Sequence, residues 1–339
     1  MPFALNFPTT QEITHIVRNV IVDPTKFIGN EFAPVVGVYS EKVEVDVIEA
    51  VQGMTSAHSL NADPSIVTLP GQSTRTYATA YWKETYRMNE EELLFARREG
   101  TYNQRAGRDR VIRRAMEMNT RLETRIEWLR WQMLVNGKIQ VNENNVKFTV
   151  PANIPNTNMP SFDWTDPSHN IIGDIENMLE LFLGTGAKPK KAYFNYGAAK
   201  LMAQNEGIRD LLKQSIFATT LSPRNITKAL PLLFPELEFE LYAEGYGDGK
   251  GNFVPFIPSN KFIIRGEGMP GEVPMDFAST ITLHNGGLDQ PQPGKFSFIE
   301  DESQRKNPHV DITVGIYGLP RIFHPNWFVS ATIAPTTNI

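Results

Sequence analysis

Between residues 102 and 136 the chain places Val111, Ala115, Met118, Leu122, Ile126, Leu129 and Met133 at steps of three and four residues. That spacing is the period of an amphipathic helix, and no other stretch repeats it as cleanly. The opposite face carries Arg110, Arg113, Arg114, Glu117, Arg121, Glu127 and Arg130, with Glu117 and Arg121 placed to pair one turn apart. Gly137 stands where a glycine C-terminal cap belongs. At about 1.5 Å per residue the helix spans roughly 48 Å. The interior arginines and the positions of Trp128 and Trp131 do not fit an a/d heptad seam. Two readings remain open: a long core helix of an ordinary domain, or a spine along which sheet and arms lie.

Upstream, residues 10–18 predict a short helix, and the rest of 1–40 is extended and broken by Pro24 and Pro34. This segment has little core of its own and needs another surface to lie on. Residues 41–48, EKVEVDVI, alternate strictly and predict a half-exposed strand. After Gly53, Asp63-Pro64 and Pro70-Gly71, a second alternating run covers 74–88 and is rich in Thr, Tyr and Trp. The two runs predict one long hairpin. Its apolar content is too thin to bury both faces, so it is expected to rest on a neighbouring molecule. Asn89 suits the N-cap of a short helix, EEELLFARRE, acidic at its start and basic at its end.

Behind the long helix, 138–150 reads as a hairpin, and the proline- and asparagine-rich 151–167 as a lobe boundary. From Ser168 the pattern alternates between helices at 171–183, 197–204 and 208–214 and strands at 191–196, 237–242, 253–256, 261–265 and 280–283. This is a mixed α/β lobe. Residues 295–300, 310–317 and 327–333 predict strands that return to the spine.

At 339 residues the chain exceeds the usual size of one core, so two lobes are expected. A formal charge of -5 argues against a nucleic-acid-binding surface over the whole chain. With no cysteine there is no disulfide or thiolate chemistry, and a reducing compartment is permitted. The N-terminus has neither the basic nor the apolar region of a signal peptide. No run of about 18 apolar residues exists to span a membrane, so a soluble protein made in the cytoplasm is expected.

Motifs for chemistry are absent or out of context. Gly266, Gly268 and Gly271 match G-x-G-x-x-G after a strand, but Pro270 interrupts them and no helix follows to hold a pyrophosphate. His15, His58, His169, His284, His309 and His324 are dispersed without metal-ligand spacing. Asn142 to Asn145 lack a calcium loop's glycine, and Glu300, Asp301 and Glu302 point to alternate faces of a strand end. No catalytic, cofactor or metal residue is assigned. The expectation is a protein that is not an enzyme and uses no cofactor.

The order of these elements resembles the Hong Kong 97 fold of tailed-phage major capsid proteins, and more closely the lambda-type family, capsid protein E. The resemblance covers nearly the whole chain. It rests on VEVDVIEAVQGM, on TLPGQSTRTYATAYWKETYRMNEEEL leading from hairpin to helix, on ETRIEWLRWQMLVNGKI ending the spine, and on GLPRIFHPNWFVSATI near the C-terminus. It implies an α+β fold with an N-terminal arm at 1–44, an extended loop at 45–88, and a peripheral domain at 89–167 holding the spine at 102–136. An axial domain at 168–285 and C-terminal strands at 286–339 that return to the peripheral domain complete it.

The implied function is a self-assembling icosahedral shell of pentamers and hexamers around packaged double-stranded DNA, without sequence-specific binding and without a membrane. The shell would assemble in the host cytoplasm and end in the virion. Implied partners are other copies of the chain, a portal protein and, where one is used, a decoration protein. Some relatives carry a charged scaffold before the arm, and this chain starts at the arm, so a separate scaffolding protein is expected. A non-viral compartment shell of the same fold and a soluble enzyme are the alternatives. In the extended loop Arg75 is expected to contact a neighbouring subunit, or else to be a solvated arginine, with Tyr77, Tyr81 and Trp82 as further contact residues.

Overall fold

The computed structural model describes residues 8–20, 23–48, 72–94, 104–143, 146–215, 217, 221–287, 289–302 and 304–335. The chain begins with helices α1 (Thr10–Asn19) and α2 (Gly29–Phe32) and strands β1 (Val35–Val38), β2 (Lys42–Ile48), β3 (Gln72–Ala78) and β4 (Ala80–Asn89). Helices α3 (Glu90–Leu94) and α4 (Gln104–Asn136) follow, then the hairpin β5 (Lys138–Glu143) and β6 (Val146–Pro151). Next come α5 (Ile171–Glu180), β7 (Lys188–Phe194), α6 (Tyr196–Gln204), α7 (Glu206–Leu211) and α8 (Ile226–Ala229). The remaining strands are β8 (Glu238–Leu241), β9 (Gly245–Gly247), β10 (Phe253–Pro255), β11 (Lys261–Glu267), β12 (Met275–Thr282), β13 (Gln292–Pro293), β14 (Phe296–Asp301), β15 (His309–Ile322) and β16 (Phe328–Thr332). The chain divides into two units, one of Met1–Glu44, Thr76–Leu129 and Asp276–Arg321, the other of Val45–Arg75, Arg130–Met275 and Ile322–Ile339.

The first unit is built on a sheet in the order β1-β12-β15-β14, with β4 along the other side of β15. Gly315 of β15 faces both Phe296 of β14 and Lys83 of β4, so β15 lies between them. Along β15 Val310, Ile312, Val314 and Ile316 alternate with Asp311, Thr313, Gly315 and Tyr317, so one face of the strand is aliphatic, and these four side chains, with Leu319, are buried. Helix α1 lies on β14. Its start is a capping box between Thr9 and Glu12, and it buries Ile13 and Val17 completely. The polar, proline-broken N-terminal stretch thus finds its surface on its own unit: Phe27, Ile28 and Phe32 are buried, and β1 joins the sheet parallel to β12.

The predicted apolar stripe of α4 is buried at every position from Val111 to Met133, and Gly137 closes the helix at φ 64°. Its polar face departs from expectation. Arg121 does not pair with Glu117; it grips Glu84 of β4 at 2.7 and 3.0 Å, while Glu117 binds Arg114 at 2.6 Å. Glu127 and Arg130, expected on the exposed face, are 0% and 1% exposed, and Asn119 and Glu123 are also buried. The stripe widens toward the C-terminal end because elements far away in sequence surround the helix there.

The expected single hairpin is divided. Strand β3 pairs with β2 as a two-stranded ribbon, whereas β4 leaves it to run antiparallel to β15 from Asn89 to Ala80. The predicted helix after Asn89 is described only as far as Leu94.

The second unit centres on a sheet in the order β16-β11-β7-β8, parallel between β7 and β8 and antiparallel elsewhere. One face, with Ala192, Phe194, Phe262, Ile264, Val329 and Ala331, packs against α5 to α8. Strand β16 pairs β11 here, away from the sheet of β14 and β15. Two glycines of the G-x-G-x-x-G match serve packing: a Cβ at Gly266 would lie 2.7 Å from the Phe182 ring, and one at Gly268 would lie 2.2 Å from Trp327, whereas Gly271 supplies a positive φ of 90° in the turn. The segment after them runs into β12, not into a helix.

Candidate functional site

The residues expected to meet a neighbouring subunit lie on β3 and β4. Arg75 is exposed, and its Nη1 donates to Asn153 Oδ1 at 2.5 Å. Among the described residues Asn153 is the one non-glycine with a positive φ, at 58°, a conformation asparagine tolerates better than most. Tyr77 is half-buried, and its hydroxyl is enclosed without a hydrogen-bond partner among the described residues. Such a group is costly to leave unmet.

Alternation along β4 sends Tyr81 and Trp82 to opposite faces of the sheet. Trp82 is 9% exposed, donates Nε1 to the Gly318 carbonyl at 3.0 Å, and lies under the Arg125 guanidinium at 4.9 Å. It faces the spine of its own unit. Tyr81 sits in an aromatic group with Tyr317 at 5.0 Å, Phe296 at 5.7 Å and His284 at 5.9 Å, and its hydroxyl meets Thr282 Oγ1 at 2.9 Å. Burial pushes the Tyr81 phenol above its ordinary pKa, with the Thr282 bond acting the other way. His284 stacks on Phe298, and burial, with Lys83 nearby, depresses its pKa. This face is apolar and aromatic, suited to contact and not to proton transfer.

Ion pairs that sequence reasoning missed hold β4 in place. Arg87 and Asp311 sit directly opposite each other across β4 and β15 and bond at 2.9 and 2.7 Å. The Arg87 guanidinium holds the Asp311 carboxyl below the usual range. The Arg121 bonds lower the Glu84 carboxyl likewise. Glu92 of α3 takes two bonds from Arg114, at 2.9 and 2.7 Å, and one from the Tyr86 hydroxyl at 2.8 Å, which ties α3 to the spine. Arg321 grips Asp276 at 2.7 and 2.9 Å. Burial nonetheless raises the Asp276 pKa, because desolvation outweighs the arginine. Glu84 and Arg87 were visible in the sequence as charges on β4; the identity of each partner was not.

Among the described residues no group of three or more His, Cys, Asp or Glu is placed to hold a metal ion. No described helix is long and apolar enough to cross a membrane. In the first unit the sheet is held to the spine by the Arg121–Glu84 ion pair and the Arg125–Trp82 contact.

This arrangement is shared with solved structures of phage-related proteins. The chain matches a structure assigned as a capsid protein of a prophage of Escherichia coli CFT073 with TM-score 0.63 at 13% identity, covering 96% of this chain and 99% of that one. A phage-related protein from Bordetella bronchiseptica RB50 matches with TM-score 0.59 at 12% identity, covering 96% and 97%. At such identities the likeness defines the fold, and the fold is that of Hong Kong 97-like capsid subunits. The profile of the family described as phage major capsid protein E matches residues 9–332. The chain belongs to that family, and it is a phage major capsid protein.

Proposed function

We propose that the protein assembles as pentamers and hexamers into the closed icosahedral head of a phage and encloses its packaged double-stranded DNA without reading its sequence. The family match along residues 9–332 carries this reading. In this reading the arm is 1–44, the extended loop that lies on the next subunit falls within 45–79, the peripheral domain takes 80–167 with the strands at 286–322, and the axial domain takes 168–285 with β16. The subunit acts by contact and performs no catalysis. Arg75 and Tyr81 are the accessible contact residues of the loop and its base, with Tyr77 between them and Trp82 fixing the strand to its own spine.

A scaffolding protein, a portal protein and a decoration protein are the partners this role calls for. Assembly takes place in the host cytoplasm and leaves the protein in the virion. Co-expression with the scaffolding protein, followed by electron microscopy and assay of particle contents, tests the reading. Closed particles that package DNA when portal and packaging proteins are supplied support it. Particles that instead retain a protein cargo and no nucleic acid would overturn the phage head in favour of a compartment, and a chain that stays monomeric would overturn the shell.

A further inference from the structure

Strand β1 ends the sheet of the first unit. Val35–Val38 runs parallel to Phe277–Thr280 of β12, and among the described residues no strand pairs its other side. Proteins usually shield such an edge with charge, proline or a covering loop, because its free N–H and C=O groups template pairing with another chain. This edge has the opposite chemistry. Val35 is 36% exposed, Val36 40% and the following Tyr39 73%, and no charged residue occurs from Val35 to Tyr39.

A cleft of about 510 Å³ opens beside the strand, lined by Pro34, Val35 and Pro293 together with Arg18, Glu123 and Lys295. The charged groups are engaged within the unit. Lys295 pairs with Glu123, and Arg18 Nε donates to the Lys295 carbonyl at 2.9 Å. The aliphatic lining is what remains for a guest, and it suits an apolar side chain.

A strand that fits must be about as short as β1, uncharged and β-prone. Residues 65–69, Ser65, Ile66, Val67, Thr68 and Leu69, have these properties and lie outside the described residues. Three of the five are β-branched or equivalent in strand preference. Pro64 and Pro70 bound the run, and their missing N–H groups limit any ladder to the residues between them. In an extended strand Ile66 and Thr68 share one face and Val67 and Leu69 the other, so one face can fill the cleft. The other long stretches outside the description fit less well: 49–64 carries Glu49 and Asp63 and has only Val51 and Thr55 as β-branched residues. Residues 95–103 carry Arg97, Arg98 and Glu99, residues 1–7 hold no β-branched side chain, and 336–339 are mostly polar.

We infer that the open edge of β1 and the cleft beside it form the docking site for residues 65–69 of a second copy of this chain, added as a further strand. The inference rests on the proposed shell, in which the extended loop of one subunit reaches the next.

The absence of cysteine makes the test direct. Val36→Cys is combined in turn with Ile66→Cys, Val67→Cys or Thr68→Cys, shells are assembled and checked by electron microscopy, and the oxidised products are separated without reductant. At least one pair yields a ladder of covalent oligomers in shells, absent from free subunits and from each single variant. A fast-migrating monomer would put the segment on its own chain and overturn the inference. A ladder from Val36→Cys alone would join two β1 edges and overturn the choice of segment. Intact shells without crosslinks at any of the three positions would overturn the inference and leave the shell standing, whereas wild-type chains that form no shell would overturn the shell reading. Val36→Lys, at an exposed position, keeps the melting of the free subunit and raises the concentration needed for assembly at least tenfold; an unchanged threshold would also overturn the docking site.

Discussion

The Glu127 carboxylate accepts a hydrogen bond from the backbone amide of Gly29 at 2.8 Å, in the interior of the first unit, where Glu127 is 0% exposed. A carboxylate removed from water must be matched by strong donors, and a backbone amide at the start of α2 is one of them. The approach needs glycine. A Cβ at position 29 would lie 2.5 Å from Glu127 Oε2. This contact pins the N-terminal stretch to the spine.

Gly29→Ala is therefore expected to destabilise the subunit by about 1–3 kcal/mol, the usual range for overpacking a tight site. Urea unfolding of the free subunit measures it. Wild-type stability in the variant would mean that the Glu127 side chain moves aside at no cost.

Leu122 sits mid-stripe on α4 and is 7% exposed. Leu122→Asp would bury a charge among apolar neighbours at a cost of several kcal/mol, against a total stability of roughly 5–15 kcal/mol. The variant is expected in inclusion bodies. Recovery of soluble protein with unchanged thermal unfolding would show that the stripe is not the seam of the core.

The Arg87–Asp311 pair sets a pH dependence. Because the folded Asp311 carboxyl titrates below its ordinary value near 3.8, the unfolded chain binds more protons across that window, and stability rises with pH there. The contribution is present above about pH 4 and is lost as pH falls through the folded value. Asp311→Asn is expected to be less stable than wild type at neutral pH, with the difference shrinking as the pH is lowered toward 3. A constant difference from pH 7 to pH 3 would show that the pair is not coupled to folding.

Arg75 is exposed and bonds to Asn153, and an exposed bond of this kind contributes little to folding. Arg75→Ala is expected to leave the melting of the free subunit unchanged while raising the concentration needed for assembly. The gap between variant and wild type narrows as salt rises, because screening weakens the wild-type contact. Equal thresholds at low salt would move the contact to Tyr77 or Tyr81.

The sequence alone determined the elements whose signals are local. The step of three and four residues from Val111 to Met133 specifies the spine, and the glycine after it stops the helix at φ 64°. The alternation around residues 138–150 specifies the β5–β6 hairpin, which forms in register from Lys138–Pro151 to Glu143–Val146. Periodicity and turn chemistry act within a few residues, so they can be read without knowing the fold. Together with the order of elements they were enough to indicate the capsid family.

Only the tertiary structure decided which faces meet. Strand β4 looks in sequence like the return arm of a hairpin, yet its ladder forms with β15, more than two hundred residues later. Glu127 and Arg130 look like surface charges and are buried. Arg121 has Glu117 within a helical turn and takes Glu84 instead. The exposed valines of β1 have no local signature, because Val35 and Val36 would read the same in the middle of a sheet as at its edge. Burial and pairing belong to surfaces assembled from distant segments, and no local pattern encodes which distant segment arrives.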